Sequence, residues 1–245
     1  MGTFAANNIT TWFSAYDMTG DSNSTELAMQ YDALETTVYG CTHRTRAAGL
    51  EDVTLQQAGF WQSGAGLIDP TAFTALGGAS QVISNSVDGL ETSVAYFYRA
   101  RQFSYQTFGA HGEMMPFSLS ASSARGTGLA AVGAVRGRVL RQKVPSVSGT
   151  GATGTAFQLG AVGASQYLYA GLHVFSAGTT ITGVIESDDA NTFASATTRI
   201  TFSAVTAAGG YWGTRVAGAI TDDWYRLRIT ACTGTFSLAC VAGIK

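Results

Sequence analysis

Residues 25–61, TELAMQYDALETTVYGCTHRTRAAGLEDVTLQQAGFW, carry the clearest fold signal in the chain. Apolar side chains occupy every second position at 27–31 and again at 53–55, with polar or small residues between them. Alternation of period two is typical of a strand with one buried face. Residues 36–50 show no sustained alternation, and loops of that length in compact domains are usually functional or contact a partner. The stretch therefore predicts two strands joined by a long surface loop.

The same alternation recurs along most of the chain, for example at 94–99, 168–174, 225–229 and 236–244. Short turn signals such as Asp88-Gly89 separate these runs. The sequence therefore predicts an all-β fold.

One short helix is predicted at 71–76. Asp69 is placed as its N-cap and Pro70 at its first position, and Gly77-Gly78 follows its end. This order of residues favours a helix start and a helix stop.

A linker is predicted at 145–156, PSVSGTGATGTA, because the segment is uncharged and rich in Gly, Ser and Thr. It divides the chain into a first β domain at 1–143 and a C-terminal β region at 146–245. That second region is interpreted either as a separate domain, a further sandwich, or as an extension of the first fold.

Composition excludes several classes of protein. The chain has 245 residues, of which 46% are hydrophobic and 12% charged, with a formal net charge of −2. Such a chain has enough apolar residues to form a core and is not disordered. Domains that read nucleic acid are usually strongly basic, which this chain is not. It has no apolar run near the roughly 20 residues of a spanning helix, and its opening MGTFAANNITTWF does not predict a signal peptide.

Charge is unevenly distributed. Residues 17–52 contain seven acids against Arg44 and Arg46, whereas 136–143 contain only basic charges. Opposite patches on one small protein favour self-association, with each patch meeting the other on a neighbouring copy. The alternative is two solvated strand faces. The basic residues concerned are Arg136, Arg138, Arg141 and Lys143.

The three cysteines, Cys41, Cys232 and Cys240, predict no disulfide framework. A hairpin turn at Thr233-Gly234 would put Cys232 and Cys240 out of register with each other. We therefore expect three free and mostly buried thiols, as in a reducing compartment.

The residue types that carry catalysis are sparse. His111-Gly-Glu113 resembles the first part of the zinc deaminase signature, but the Cys pair that must follow is missing. His43 is expected to make a surface contact, and His173 to be a structural or surface residue within a strand. The glycines of 149–154 lack the lysine of a phosphate-binding loop.

The acidic segment at 186–191 offers oxygen ligands of the kind that Ca²⁺ prefers, but such clusters are also ordinary turn formers. Asp222-Asp223 is interpreted as a loop entering a strand. No catalytic, cofactor-binding or metal-binding residue is therefore predicted, no cofactor is expected, and the chain is not expected to be an enzyme. The acidic segment comprises Glu186, Asp188, Asp189 and Asn191.

The tryptophans allow two interpretations. Exposed, they would form a platform on which a sugar stacks. Buried or at a subunit interface, they would be core residues or anchors, and the strand pattern favours this second interpretation. They are Trp12, Trp61, Trp212 and Trp224.

Residues 25–140 resemble the tail tube (major tail) proteins of long, flexible-tailed bacteriophages. The pattern comprises the strand with DALETT, the YGCT step, the basic loop and the GLEDVTL strand that leads to Gly59-Phe60-Trp61. The predicted helix, the strand at 92–99 and GAHGEMMPFSLSA at 109–121 follow in the expected order. The end of the chain, 224–244, is similar to the last hairpin of many virion β-proteins, which is a less specific likeness.

The resemblance implies a β-sandwich or barrel-like fold of the tail tube type, flanked by one short helix. It also implies a structural virion protein of the tail, assembled in the cytoplasm of the bacterial host. Hexameric rings would stack into a tube, the conduit for genome ejection, and the loop at 36–50 would reach the adjacent ring. Its partners would be copies of itself, the tape measure, the tail terminator and the tail tip, and DNA would pass without sequence-specific binding. The alternatives are another virion β-protein, such as a capsid decoration or tail-tip protein, and a carbohydrate-binding module or glycosidase.

Overall fold

The computed structural model describes residues 8–124 and 132–245 and confirms an all-β fold with antiparallel sheets and one short helix. Among the described residues, no helix is long and apolar enough to cross a bilayer. In chain order the elements are β1 (Thr10–Phe13), β2 (Tyr16–Asp17), β3 (Ser22–Glu35), β4 (Arg46–Phe60), α1 (Ile68–Ala75), β5 (Gln81–Ser86), β6 (Val94–Thr107), β7 (Pro116–Ser123), β8 (Val135–Arg141), β9 (Gly151–Gln158), β10 (Tyr167–Ser176), β11 (Thr180–Asp188), β12 (Thr197–Val205), β13 (Gly209–Trp212), β14 (Val216–Ala217), β15 (Trp224–Thr233) and β16 (Ser237–Ile244).

The chain forms two compact units. Of the described residues, unit 1 contains 8–21, 81–98 and 135–245, and unit 2 contains 22–80, 99–124 and 132–134. These units do not follow the boundary that the sequence suggested near 145, because residues from the first half belong to unit 1. The division into a domain at 1–143 and a region at 146–245 stays a prediction.

Unit 1 contains a curled sheet with the strand order β13-β10-β16-β8-β6-β5-β1-β2, to which β6 contributes its first residues, and β14 pairs with β10. His173 on β10 is hydrogen-bonded to Ser84 on β5 and to Ser14, which follows β1. The amide of Gly210 on β13 also donates to the Ser14 hydroxyl, at 2.8 Å. The sheet therefore curls until β10 and β13 lie against β1 and β5.

A second sheet of unit 1, ordered β12-β11-β15-β9, packs on the outer face of β8, β10 and β16. The two sheets share one apolar core, and burial of each large apolar side chain contributes roughly 1.5–3 kcal/mol. From the curled sheet the core takes Leu140, Leu168, Leu172, Leu238 and Cys240, and from the second sheet Ile181, Ile185, Ile200, Phe202, Tyr225, Leu227 and Ile229.

Two local predictions in this part of the chain are wrong. The expected hairpin at Thr233-Gly234 does not form, because β15 pairs with β11 and β9 whereas β16 pairs with β10 and β8. The turn carries the chain from one sheet to the other, where Phe236 pairs with Val147. The predicted linker at 145–156 is wrong in its second half, since β9 lies there and hydrogen-bonds along β15.

Unit 2 is a four-stranded antiparallel sheet, β3-β4-β7-β6, with α1 against it. The helix is confirmed but its predicted cap is wrong, because Leu67 is the N-cap and makes no side-chain cap. The Asp69 carboxylate instead accepts hydrogen bonds from Trp61 Nε1 and Tyr105 Oη, both at 2.9 Å, since these partly buried donors need an acceptor. Gly77 follows the helix at φ +67°, as the stop signal predicted.

Candidate assembly surface of unit 2

One face of the unit 2 sheet is polar and open to solvent. Cross-strand pairing places Ser24 beside Ala58, and Gln56 beside Ser120. Together they line a shallow groove of about 360 Å³. Two residues of opposite charge, Glu26 and Arg101, also lie on this face, because they pair across the strands with Gln56 and Ser122. The groove is lined by Ser24, Glu26, Gln56, Ala58, Ser104, Gln106, Ser118 and Ser120, and also by atoms of Gln57 and Leu119, two residues that are themselves buried.

The opposite face of the same sheet is apolar and forms the core of unit 2. Its members are fully or almost fully buried, and α1 contributes Ile68 and Ala72 to this core. The buried strand residues are Val53, Leu55, Phe117, Leu119 and Ala121.

The β3–β4 hairpin extends beyond this core. β7 accompanies β4 only from Thr54 to Phe60, so the rest of the hairpin is a two-stranded ribbon. Along the ribbon the apolar face continues, and Met29 and Tyr31 on it are 47% and 57% exposed. A two-stranded ribbon is marginally stable in water. The apolar face of the ribbon is therefore a surface that a partner would stabilise.

The outer edge of β3 is unpaired, because among the described residues this 14-residue strand pairs only with β4. β6 is the other outer strand of the unit 2 sheet. An open edge presents a row of unpaired N–H and C=O groups, which are a template for another strand.

The loop at the tip of the ribbon is shorter than predicted. It spans 36–45, and the remaining residues of the expected loop belong to β4. Its ends are fixed by bonds from the amide of Thr36 to the carbonyl oxygen of Thr45, at 2.9 Å, and from the amide of Thr45 to the Thr37 hydroxyl, at 3.0 Å. It carries the free thiol of Cys41.

The three cysteines are free, as predicted, but they are not mostly buried. Cys240 lies in the core of unit 1, where burial raises the pKa of its thiol. Cys232 is half-buried, and Cys41 in the tip loop is exposed.

His173 is structural and not a surface residue. Its Nδ1 bonds the carbonyl oxygen of Ser14 at 2.9 Å, which can only accept, so Nδ1 carries the proton. Nε2 then accepts from the Ser84 hydroxyl, at 2.8 Å. Burial lowers the pKa of His173 to about 4. Ser84 is fully buried, so this Ser–His pair is closed to any substrate.

The carboxylates of the acidic segment that suggested a cation site already have partners within the protein. The buried Glu186 carboxylate accepts from Arg226 at 2.8 Å and from Arg228 at 3.1 Å. Asp188 accepts from the amides of Ala190 and Ser195. Over the described ranges, no group of three or more acids, histidines or cysteines is arranged to hold a metal ion.

Asp222 is also paired within unit 1. The Asp222 carboxylate accepts a hydrogen bond from Ser187 Oγ at 2.6 Å and forms an ion pair with Arg199 at 2.9 Å. These two interactions hold the pKa of the carboxyl below its usual value.

Most of the basic residues at 136–143 also have partners inside unit 1. Arg141 is 3% exposed and lies 3.5 Å from Glu91, and it donates to three backbone carbonyls and to Thr153. Lys143 pairs with Asp17 at 2.9 Å. Arg138 stacks on Phe157. Of the four residues proposed as an intermolecular patch, only Arg136 is exposed.

The tryptophans do not form an exposed platform. Trp12 is 2% exposed and packs against His173, with ring centroids 5.6 Å apart. Trp212 packs against Phe97 at 5.4 Å. Trp61 and Trp224 are half-buried. The interpretation as core residues is confirmed for Trp12.

The sequence did not single out the polar face, although its signal is visible. PFSLSASS at 116–123 alternates serine with apolar residues, and Ser118 and Ser120 of this segment line the groove. The open edge could not be found in this way, because pairing between strands depends on distant parts of the chain.

No family model matches this chain, and no curated protein matches it. It is similar to a chain of the virion of a native gene transfer agent particle, with TM-score 0.42 and 12% identity over 50% of this chain and 95% of that one. A chain from the tail of an empty gene transfer agent particle gives TM-score 0.34 and 13% identity over 46% and 82%. The Dit protein of SPP1, described as a paradigm of the hub adsorption apparatus of Gram-positive-infecting phages, gives 0.37 and 10% over 97% and 99%. At these scores none of the three assigns a function to this chain.

Proposed function

We propose that this chain is a structural virion protein of a phage tail, whose copies join edge to edge into rings of the tail tube. The observation that carries the proposal is the unit 2 sheet, which has one polar face, one apolar face and an open edge at β3. The resemblance of residues 25–140 to tail tube proteins falls mainly on this same unit. The role needs no catalytic centre and no cofactor.

Closure of a ring would give the unpaired edge of β3 a hydrogen-bonded neighbour strand. Closing a sheet removes its edges, and identical copies achieve this when β3 of one copy pairs with the outer strand of the next. A head-to-tail contact of this kind gives a closed ring if its rotation closes, and six copies is the number that we propose.

The polar face suits the wall of a conduit. Proteins bind DNA chiefly by neutralising phosphates with Lys and Arg, which releases counterions. On this face Arg101 is offset by Glu26, and the groove is otherwise lined largely by serine and glutamine. A wall of this composition would stay wetted and would not retain the DNA that passes it.

The exposed apolar face of the ribbon fits the same arrangement. Extensive exposed apolar surface on a monomer is typical of an interaction site. In a ring, residues of the adjacent copy would cover side chains such as Met29, which a monomer leaves in water.

Two substitutions on one strand test the proposal. Met29→Lys puts a charge on the apolar face of β3, and Gln30→Lys puts the same charge on the polar face. Negative-stain electron microscopy over a concentration series should show rings or tubes for the unaltered protein and for Gln30→Lys, and monomers for Met29→Lys. Monomers of the unaltered protein at every concentration would contradict the proposal, as would rings of both variants.

A second candidate is a ring at the tail tip. It is favoured by unit 1, which builds a large two-sheet core of its own that a minimal tube ring does not need. Single rings that never lengthen with concentration would select this role over the tube.

A further inference from the structure

Unit 1 contains an open cavity of about 350 Å³. Its walls are the β1–β2 hairpin, the turn between β5 and β6, and the segment that follows β8. Gly89 in that turn has φ +68°, and a side chain there would meet Thr10 of β1 at 2.7 Å. The turn and β1 are therefore in close contact. A cavity of this size is at the lower end of the range for ligand sites.

The side chains at the cavity hold one another in place. Trp12 pairs with Asp17 across the β1–β2 hairpin and packs against the rings of His173 and Phe175, with centroids 5.6 and 6.2 Å away. Lys143 is bound by Asp17 at 2.9 Å and lies over the Phe175 ring, 4.9 Å from its centroid. The cavity is therefore formed in advance, which lowers the entropic cost of binding.

The indole N–H of Trp12 is an unsatisfied donor beside this cavity. Trp12 is 2% exposed, and its Nε1 has no acceptor among the described residues. By contrast, Nε1 of Trp61 donates to Asp69. The indole N–H can only donate, and buried donors are normally paired. An occupant that brings an oxygen acceptor to Trp12 would satisfy this group.

The surface of the cavity also carries aliphatic side chains. Leu90 and Val144 line it and are 55% and 66% exposed. They would bury an apolar side chain of an occupant, which is favourable in proportion to the area removed from water. A sugar ring is less suited to this cavity, because Trp12 is too buried to offer the face of its ring.

The charges at the cavity exclude an acidic occupant. Asp17 is compensated by Lys143. Asp88 accepts a hydrogen bond from the amide of Leu90 at 3.0 Å but has no ion-pair partner in the part of the chain that the structure describes. The lining therefore carries a net negative charge, which favours a neutral or basic partner.

We propose that this cavity binds an extended, apolar and non-acidic segment of a partner protein. A backbone carbonyl of the segment accepts from Trp12 Nε1, and an apolar side chain lies between Leu90 and Val144. Peptide recognition commonly combines main-chain hydrogen bonds with pockets for side chains in this way. The site lies entirely in unit 1, so it goes beyond the proposed function and does not depend on ring formation.

A capped leucine, N-acetyl-leucine N-methylamide, is the probe for this site because it carries backbone-like carbonyls and one apolar side chain. It is titrated into the ¹⁵N-labelled protein below the concentration at which rings form, and the indole N–H signals are followed by NMR. The Trp12 signal is assigned through its proximity to the rings of His173 and Phe175. We expect this indole signal to move downfield as its N–H gains an acceptor, and the other three to stay in place.

Two exposed valines provide a variant and its matched control. Val144→Asp puts a charge where the apolar side chain should lie and should raise the Kd of the probe at least about tenfold. Val38→Asp changes an equally exposed valine of unit 2, at 68% exposure, and should leave the Kd unchanged.

Three results would overturn the inference while leaving the proposed function intact. The first is a Trp12 signal that stays in place up to the solubility limit of the probe. The second is an equal response to N-acetyl-glutamate N-methylamide, or to N-acetylglucosamine, since an acid or a sugar would then bind as well as the apolar peptide. The third is the same Kd for Val144→Asp as for the unaltered protein.

Discussion

Units 1 and 2 are built from similar alternating strands but bury them to very different degrees. In unit 1, β16 is buried at every position from Leu238 to Gly243, because both of its faces are covered. In unit 2, β3 has no fully buried residue along its whole length. Unit 1 therefore pairs and buries strands such as β16 within itself. Among the described residues, the ribbon of unit 2 leaves the outer edge of β3 unpaired and both of its faces accessible to another molecule.

Polar groups show the same contrast. Unit 1 buries Arg141, His173 and Glu186, and each has hydrogen-bond partners within the unit. In the ribbon of unit 2, Arg44 and Arg46 stand in solvent. Buried polar groups are costly unless they are satisfied, so the energetic consequences of substitution should differ sharply between the two units.

The largest difference should come from the arginines. Arg141→Met removes the donor of several buried backbone carbonyl oxygens and one of the donors of Glu91. The loss of these hydrogen bonds of a charged, buried group should lower the free energy of unfolding by about 3 kcal/mol. Arg44→Met in the tip loop should change it by no more than about 0.5 kcal/mol. Urea denaturation of both variants measures this, and equal effects would contradict the contrast.

Acid should destabilise unit 1 through His173. The pKa of this residue is about 4 when folded, against 6.5 as the ordinary value, so below pH 6.5 the unfolded chain takes up a proton that the folded chain does not. Stability should fall from pH 6.5 to about 4 and then level off, for a total of roughly 3 kcal/mol. The neighbouring Asp17 attracts the proton and opposes this effect.

Carboxyl groups titrate over part of the same pH range, so the control for this experiment is His173→Gln. The difference in unfolding free energy between the two proteins, followed by urea denaturation from pH 7.5 to 4, isolates the histidine. A parallel pH dependence of the two proteins would show that His173 does not contribute.

A smaller effect is expected for a partly buried polar contact of unit 2. Asp69→Leu removes the acceptor of both Trp61 and Tyr105 and should lower the free energy of unfolding by about 2 kcal/mol. Asp69→Asn keeps an oxygen for both donors and should be close to neutral. Thermal unfolding distinguishes them, and a similar loss in both variants would mean that the negative charge matters more than the hydrogen bonds.

The sequence predicted the strand content and the helix well, because alternation and the order Asp-Pro to Gly-Gly are local signals. It failed for Asp69 and for the turn at Thr233-Gly234. In both cases a distant partner decides the outcome: Tyr105 bonds the carboxylate, and Val147 pairs with Phe236 as the chain changes sheet.

The candidate site was predicted only in part. The stretch 25–61 predicted two strands joined by a surface loop, and the structure places both strands and the loop there, with the loop reduced to 36–45. The polar face, the open edge of β3 and the internal pairing of Arg141 depend on the register between strands. Register is set by contacts between residues far apart in sequence, which alternation within one strand does not reveal.

The smallest expected effect comes from the same substitution, tyrosine to phenylalanine, made once in each unit, so that the two units are compared directly. Tyr98 is fully buried in unit 1 and donates to Asn85 at 2.9 Å, so Tyr98→Phe leaves a buried acceptor unpaired and should cost about 1–2 kcal/mol. Tyr31 in the ribbon donates to Glu51 at 3.0 Å, but water replaces that bond, so Tyr31→Phe should change the free energy of unfolding by less than about 0.5 kcal/mol. Urea denaturation below the concentration at which rings form gives both values. If Tyr31→Phe cost as much as Tyr98→Phe in the monomer, the ribbon would already be part of a stable core, and it would not need a second copy to cover it.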